Sequence, residues 1–179
     1  MFSIENSLLL VIDIQGNLAY QMFQKESLFK NIQTLIQTAD ILDIPVLYTE
    51  QAPEKIGQTV PEIRQFLEKK EFFIKKTFSC AGSNELMARI RDLKRQEIIM
   101  IGIETHVCVY QTAVDFKKLN YRLQIVDDAV SSRTEANKLI ALERLRFLGV
   151  DLTCTESVAT ELLKSSEHPK FKEILTLIR

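Results

Sequence analysis

The sequence predicts an α/β domain in which a parallel sheet lies buried between two layers of helices. Three observations predict it. Short, wholly apolar runs alternate along the chain with longer segments whose apolar residues recur at helical spacing. The runs do not alternate apolar with polar residues, as strands with one wet face do, so both of their faces are expected to be covered. The connections are short, which favours repeated βα units.

Ser7–Ile14 (SLLLVIDI) is the first apolar run and reads as a buried strand. In Lys25–Asp43 the residues Leu28, Ile32, Leu35, Ile36, Ala39 and Leu42 share a helical face, and Pro45 blocks continuation. Val46–Thr49 is a second strand, and Glu50–Thr59, with Pro and Gly, reads as a loop. Pro61–Lys69 is a helix with Pro in its first turn, and Phe72–Lys75 is a third strand. Ser83 caps a helix over Ser83–Leu93. Glu97–Gly102 (EIIMIG) is a fourth strand, His106–Leu119 a helix, Arg122–Asp127 a fifth strand and Thr134–Leu148 a helix. Val150–Cys154 is a short sixth strand, and two helices, roughly Ser157–Lys164 and Pro169–Ile178, follow it. The last sets Phe171, Ile174, Leu175 and Ile178 on one face, expected to dock on the body or on a neighbouring subunit rather than on a membrane.

With 179 residues and no linker, repeat or low-complexity segment, the chain fits a single domain over 1–179. A net charge of −1 gives no broad attraction to nucleic acid or to a membrane surface, so neither is expected as a partner. No apolar run is long enough to span a bilayer, and Ser7–Ile14 is too short for a signal peptide and lacks a basic leader. Cys80, Cys108 and Cys154 are an odd number without metal-type spacing, so reduced thiols in a cytoplasmic protein are expected. His106 and His168 lie far apart, which argues against a protein-built zinc site, although carboxylates remain able to hold a harder ion. Neither a metal nor a cofactor is expected.

In open parallel sheets the ligand site lies beyond the C-terminal strand ends. Strand one ends in Asp13-Ile14-Gln15, strand three in Lys75-Lys76, and strand four runs into Gly102-Ile103-Glu104-Thr105-His106-Val107-Cys108. An acid, a base and a thiol therefore sit at strand ends. Cys108 falls near the predicted start of a helix, where free N–H groups and the helix dipole are expected to lower the thiol pKa. Asp13 is placed to take the thiol proton, and a lysine to keep that carboxylate ionised. From the residues alone, a free cysteine such as Cys108 is more often a small buried core residue than a nucleophile.

V-I-D-I-Q at 11–15, F-I-K-K-T-F-S at 73–79 and G-I-E-T-H-V-C-V at 102–109, in this order and after strands one, three and four, resemble the isochorismatase-like cysteine hydrolases. T-E-Q-A-P-E-K-I-G-Q-T-V-P-E-I at 49–63, D-D-A-V-S-S-R at 127–133 and H-P-K-F-K-E-I at 168–174 are similar to the subgroup of eukaryotic isochorismatase-domain proteins and their bacterial relatives. The resemblance covers nearly the whole chain. It implies a three-layer, Rossmann-like α/β/α sandwich with a six-stranded parallel sheet in the order 3-2-1-4-5-6. It implies Asp13, Lys75 and Cys108 as catalytic residues, with Lys76 as the neighbouring candidate for the lysine. It further implies a cis peptide at Ile103–Glu104, and the N–H groups of Glu104 and Cys108 as an oxyanion hole. The chemistry implied is thiolate attack on the acyl carbon of a C–N bond in a small amide, carbamoyl or ureido substrate, a thioester, and its hydrolysis. In that strand order strands one and three lie about 9–10 Å apart, a gap for the long lysine side chain to close.

Gln15, Tyr20, Gln51, Phe78 and Thr105 flank this triad in sequence and are expected to line the pocket. Cys108 argues against the vinyl-ether cleavage of family members that lack this cysteine. The absence of His from 50–75 argues against the metal-dependent nicotinamidases. Glu104 and His106 also stand where nicotinamidases carry a small residue and an Asp. Arg133 is expected either to pair with an acid near the site or to lie at a subunit contact. Cys80 and Cys154 are expected to be packing residues. A dimer or larger homo-oligomer is implied. The alternative to an enzyme is a catalytically weak or inactive scaffold that keeps the fold and binds a partner.

Overall fold

The computed structural model describes residues 1–178. Its sheet has six parallel strands: β1 (Ser7–Ile12), β2 (Val46–Gln51), β3 (Glu71–Lys75), β4 (Glu97–Ile103), β5 (Arg122–Ser131) and β6 (Asp151–Thr153). Their order across the sheet is β3-β2-β1-β4-β5-β6, so the direction of strand addition reverses between β1 and β4. All six residues of β1 and all seven of β4 are buried, which is why both read as unbroken apolar runs.

Two apolar cores lie on the two faces of the sheet. Leu9 and Val11 of β1 face the helices α2 (Lys25–Ile41), α8 (Thr155–Leu163) and α9 (Phe171–Leu177). Leu8, Leu10 and Ile12 face α5 (Asn84–Leu93), α6 (Tyr110–Lys118) and α7 (Glu135–Phe147). The strand's two-residue side-chain period divides β1 between the cores. Ile174 of α9 is fully buried, so that helix docks on the body of its own chain.

Three short helices complete the chain: α1 (Gly16–Tyr20), α3 (Pro53–Ile56) and α4 (Pro61–Arg64). They correct the expectation in two places. Glu50–Thr59 is not only loop, because β2 continues to Gln51 and α3 follows it. The helix expected over Pro61–Lys69 is regular only to Arg64 and then passes into turns. The fifth strand also runs beyond its expected end at Asp127. Asp127 and Asp128 lie within it, at a register shift against β4 between Met100 and Gly102. Both acids have partners: Asp127 pairs with Lys138 at 2.9 Å, and Asp128 accepts from the Thr155 amide and hydroxyl at 2.9 and 2.8 Å. A polar residue inside a strand is tolerated on those terms.

Gly102 controls the approach of β4 to β1. Its φ is +128°, and a Cβ there would stand 2.1 Å from the carbonyl oxygen of Ile12. Only glycine permits both the conformation and the contact. The two strands therefore stay paired up to the residues that precede Asp13 and Cys108.

Candidate functional site

The site is assembled where β1, β2, β3 and β4 end. Asp13 follows β1 directly, in a left-handed conformation with φ +52°, and is buried. Its amide donates to the Thr49 carbonyl at 3.2 Å, and its Oδ1 accepts from the Thr49 hydroxyl at 2.7 Å. Its Oδ2 lies 2.5 Å from Lys75 Nζ, a buried ion pair.

Lys75 ends β3, and its side chain is wholly enclosed. Nζ donates to Gln51 Oε1 at 3.0 Å and to the carbonyls of Thr77 and Phe78, both at 3.1 Å. The chain after β3 thus folds back over the ammonium and holds it with two carbonyls. Burial alone would pull this lysine down, but the Asp13 charge, aided by Cys80 and Cys108, reverses that and leaves it above its ordinary value. Lys76 is exposed, since successive strand residues point to opposite sides.

Cys108 lies in a π-helical turn, Thr105–Val109, that joins β4 to α6. The amides of Val107 and Val109 both donate to the Glu104 carbonyl. The Ile103–Glu104 peptide bond is cis. Cys108 Sγ is 3.4 Å from Gln51 Oε1 and 3.8 Å from Lys75 Nζ. The expected low thiol pKa is not found. Burial first, and the Asp13 charge second, push the Cys108 thiol up, against a smaller downward pull from Lys75. The expectation came from a regular helix N-terminus open to solvent. The thiol sits instead inside a closed turn, facing a carboxylate.

A cavity of about 100 Å³ opens onto Cys108. Asp13, Gln15, Gln51, Phe78, Ile103, Glu104 and Cys108 line it, with Leu18, Ile56 and Val107. Of the five expected lining residues, Gln15, Gln51 and Phe78 are there. Gln15 also organises the wall: its Nε2 donates to the Gly57 carbonyl at 2.6 Å, and its Oε1 accepts the Gln51 amide at 2.6 Å. Tyr20 is a correction. Its ring packs edge-on to Phe29 and its hydroxyl donates to Glu62 Oε2 at 2.9 Å, on the outer surface of α1. Thr105 is a second correction: it is fully buried behind the turn and does not line the cavity. Leu18 and Ile56 were missed because they sit on α1 and α3, five and four residues long, too short for a periodic pattern.

Glu104 is buried, and its Oε1 accepts from Arg133 Nε at 2.9 Å and from the Arg133 amide at 3.4 Å. Of the two roles expected for Arg133, this is the pairing with an acid near the site. His106 faces away, its Nδ1 2.9 Å from the Ser132 hydroxyl. Cys80 is completely buried, and burial with the Asp13 charge takes its thiol up to about 11. Among the described residues, no group of three or more His, Cys, Asp or Glu is placed to hold a metal, and no helix is long and apolar enough to cross a membrane. A larger cleft of about 370 Å³, between the start of α2 and the end of β5, shares no lining residue with the thiol cavity.

Comparison with known proteins agrees with this architecture. The family profile described as the isochorismatase domain matches residues 7–157. Isochorismatase family protein 1A of Dictyostelium discoideum is 36% identical over 177 residues, covering 96% of this chain and 85% of that protein. The structure described as MAR1 ribonuclease from Caenorhabditis elegans is 35% identical and superposes with a TM-score of 0.93, covering 99% of this chain and 91% of that one. The Escherichia coli YcaC protein, described as an octameric hydrolase of unknown specificity, shares the fold at 19% identity with a TM-score of 0.88, covering 98% and 94%. With the sheet order, the Asp-Lys-Cys strand ends and these matches together, the chain belongs to the isochorismatase family and has its hydrolase fold.

Proposed function

We propose that the protein is a cysteine hydrolase that opens a C–N bond in a small amide, carbamoyl or ureido compound through a thioester on Cys108. The observation that carries this reading is the convergence of Asp13, Lys75 and Cys108 at one site, Asp13 and Cys108 lining the cavity and Lys75 Nζ buried 2.5 Å from Asp13 and 3.8 Å from Cys108. The raised thiol makes Cys108 protonated at rest. As Sγ attacks the carbonyl carbon, its proton passes to Asp13, and the carbonyl oxygen takes the negative charge. The amides of Glu104 and Cys108 are the donors assigned to that oxygen. Asp13 then gives the proton to the departing nitrogen, the C–N bond breaks, and the acyl group remains on sulfur. Water, giving a proton to Asp13, attacks the thioester. The acid leaves, and the thiol regains its proton. Lys75 stays cationic throughout and fixes the carboxylate beside the sulfur.

The test is incubation with a panel of small amides, ureas and carbamoyl compounds, read by product release and by mass spectrometry of the Cys108 peptide. An acyl adduct on Cys108, with turnover lost in Cys108→Ala, is expected. Turnover that survives in Cys108→Ala would overturn the reading. An unreactive thiol across the panel would favour the partner-binding scaffold.

The worm relative's description gives a second reading, cleavage of RNA. The cavity of about 100 Å³ is smaller than the ~150 Å³ cavity that accepts benzene, so a nucleotide base would have to bind outside it. Cleavage of single-stranded RNA that is lost in Cys108→Ala would establish this reading instead. Self-association is also proposed, on the octameric state ascribed to the E. coli protein and on the exposed Leu139, Ile140 and Phe147 of α7. Light scattering measures it. A cytoplasmic location is proposed on three unpaired cysteines.

A further inference from the structure

The wall of the thiol cavity carries a charge that the proposed hydrolysis does not use. Asp13 is balanced at 2.5 Å by Lys75, so that pair presents little net charge to a ligand. Glu104 is different. It lines the cavity beside Cys108, and its side chain is one-tenth exposed whereas that of its partner Arg133 is half exposed. Arg133 does not line the cavity. Both Arg133 bonds go to Oε1, and Oε2 accepts no hydrogen bond from any described residue. The buried, negative member of the pair thus lines the cavity, and its positive member lies half in solvent, where water and salt screen it. Of the remaining lining residues, Leu18, Ile56, Phe78, Ile103 and Val107 are apolar and Gln15 and Gln51 are polar but uncharged, so no cationic lining residue opposes Glu104 directly.

We propose that Glu104 sorts ligands by charge. Compact uncharged or cationic acyl compounds that present an N–H group to Oε2 are admitted, and compounds with a carboxylate near the acyl carbon are turned away. The volume of about 100 Å³, against the ~150 Å³ of a cavity that accepts benzene, favours a compact enclosed group. A urea-like or carbamoyl group meets both conditions, since it is small and bears N–H donors beside the carbonyl. This inference names the substrate class of the site proposed above and rests on Cys108 being its reacting atom.

Iodoacetamide and iodoacetate test it, because they alkylate the same thiolate and differ mainly in charge. The rate of each at Cys108 is followed by peptide mass spectrometry at one alkaline pH. Their ratio cancels the thiolate fraction, and the same ratio for 2-mercaptoethanol gives the intrinsic preference of a thiol. Wild type is expected to favour iodoacetamide by about tenfold more than 2-mercaptoethanol does, the scale set by one unopposed charge across a few ångströms of poorly polarisable wall. Glu104→Gln is expected to remove most of that excess. Arg133→Gln, which leaves the carboxylate in place and takes away its external partner, is expected to enlarge it. A wild-type ratio equal to that of 2-mercaptoethanol, or one unchanged in both variants, would overturn the proposal. Should Glu104→Gln fail to fold, as judged by circular dichroism, the wild-type and Arg133→Gln ratios decide alone. Because alkylation needs no turnover, charge sorting without hydrolysis of any amide would sink the hydrolase reading only, and hydrolysis without charge sorting would sink this one only.

Discussion

Lys75 Nζ lies 2.5 Å from Asp13 Oδ2, and neither side chain is open to solvent. Two strands contribute the pair and a third, β2, lies between them. The lysine bridges that width, and the carbonyls of Thr77 and Phe78 hold its end. Removing one partner of an enclosed ion pair strands the other charge. Lys75→Met is therefore expected to destabilise the protein by about 3–5 kcal/mol, measured by urea unfolding. The double change Asp13→Asn with Lys75→Met is expected to recover part of that loss. Equal loss in single and double variants would mean that the pair is not coupled.

Alkaline pH acts on three groups in one direction. Lys75 is held above its ordinary value, and Cys80 and Cys108 are raised. Each keeps its proton in the folded protein at a pH where the unfolded chain has released it. Their contributions to stability are complete below the ordinary thiol value and are lost as pH rises through the folded values. Stability is expected to fall from about pH 8.5 upward, by about 1.4 kcal/mol per pH unit for each thiol in play. For Cys80 the window closes at about 11. Cys80→Ala is expected to flatten the slope, as thermal unfolding measured from pH 7 to 11 would show.

Alkylation of Cys108 reports the same balance locally. The wild-type rate is expected to climb only above the ordinary thiol range. Asp13→Asn removes an upward push and is expected to bring the midpoint down, whereas Lys75→Met removes a downward pull and is expected to move it further up. Movement of both variants in the same direction would contradict this assignment of charges.

Gly102→Ala tests the close approach of β4 to β1. A methyl group 2.1 Å from the Ile12 carbonyl oxygen, on a backbone with φ +128°, must push the strand ends apart. A loss of about 2–4 kcal/mol is expected, along with faster alkylation of Cys108 as its turn opens. Differential scanning calorimetry and the alkylation assay measure the two effects.

The sheet was legible because its strands are short and apolar and its helices long enough to show their period. Asp13, Lys75 and Cys108 were legible as chemistry-bearing residues at three strand ends. What sequence did not convey was direction. Tyr20 stands close to Asp13 along the chain, yet its hydroxyl reaches Glu62 on the outside. Thr105 is three residues from the thiol and fully buried. Leu18 and Ile56 line the cavity from helices whose form comes from tertiary contact rather than pattern. The thiol's proton affinity was misjudged for a related reason. A helix-end argument counts the local backbone, whereas burial and a carboxylate from another strand set the outcome.

The strand order has a consequence for how the chain comes together. β1 is made first but lies in the middle of the sheet, and β4, which pairs with its second edge, follows only after β2, β3 and α5. Until then β1 offers an open row of backbone groups, with Leu8, Leu10 and Ile12 beside it, and such an edge invites pairing with other chains. The contacts that close it are far apart in sequence, the kind that form slowly. The arrival of β4 covers that edge and also carries Cys108 up to Asp13. Protection from aggregation and completion of the reactive cluster are thus one event, and a half-folded chain holds no half-working site.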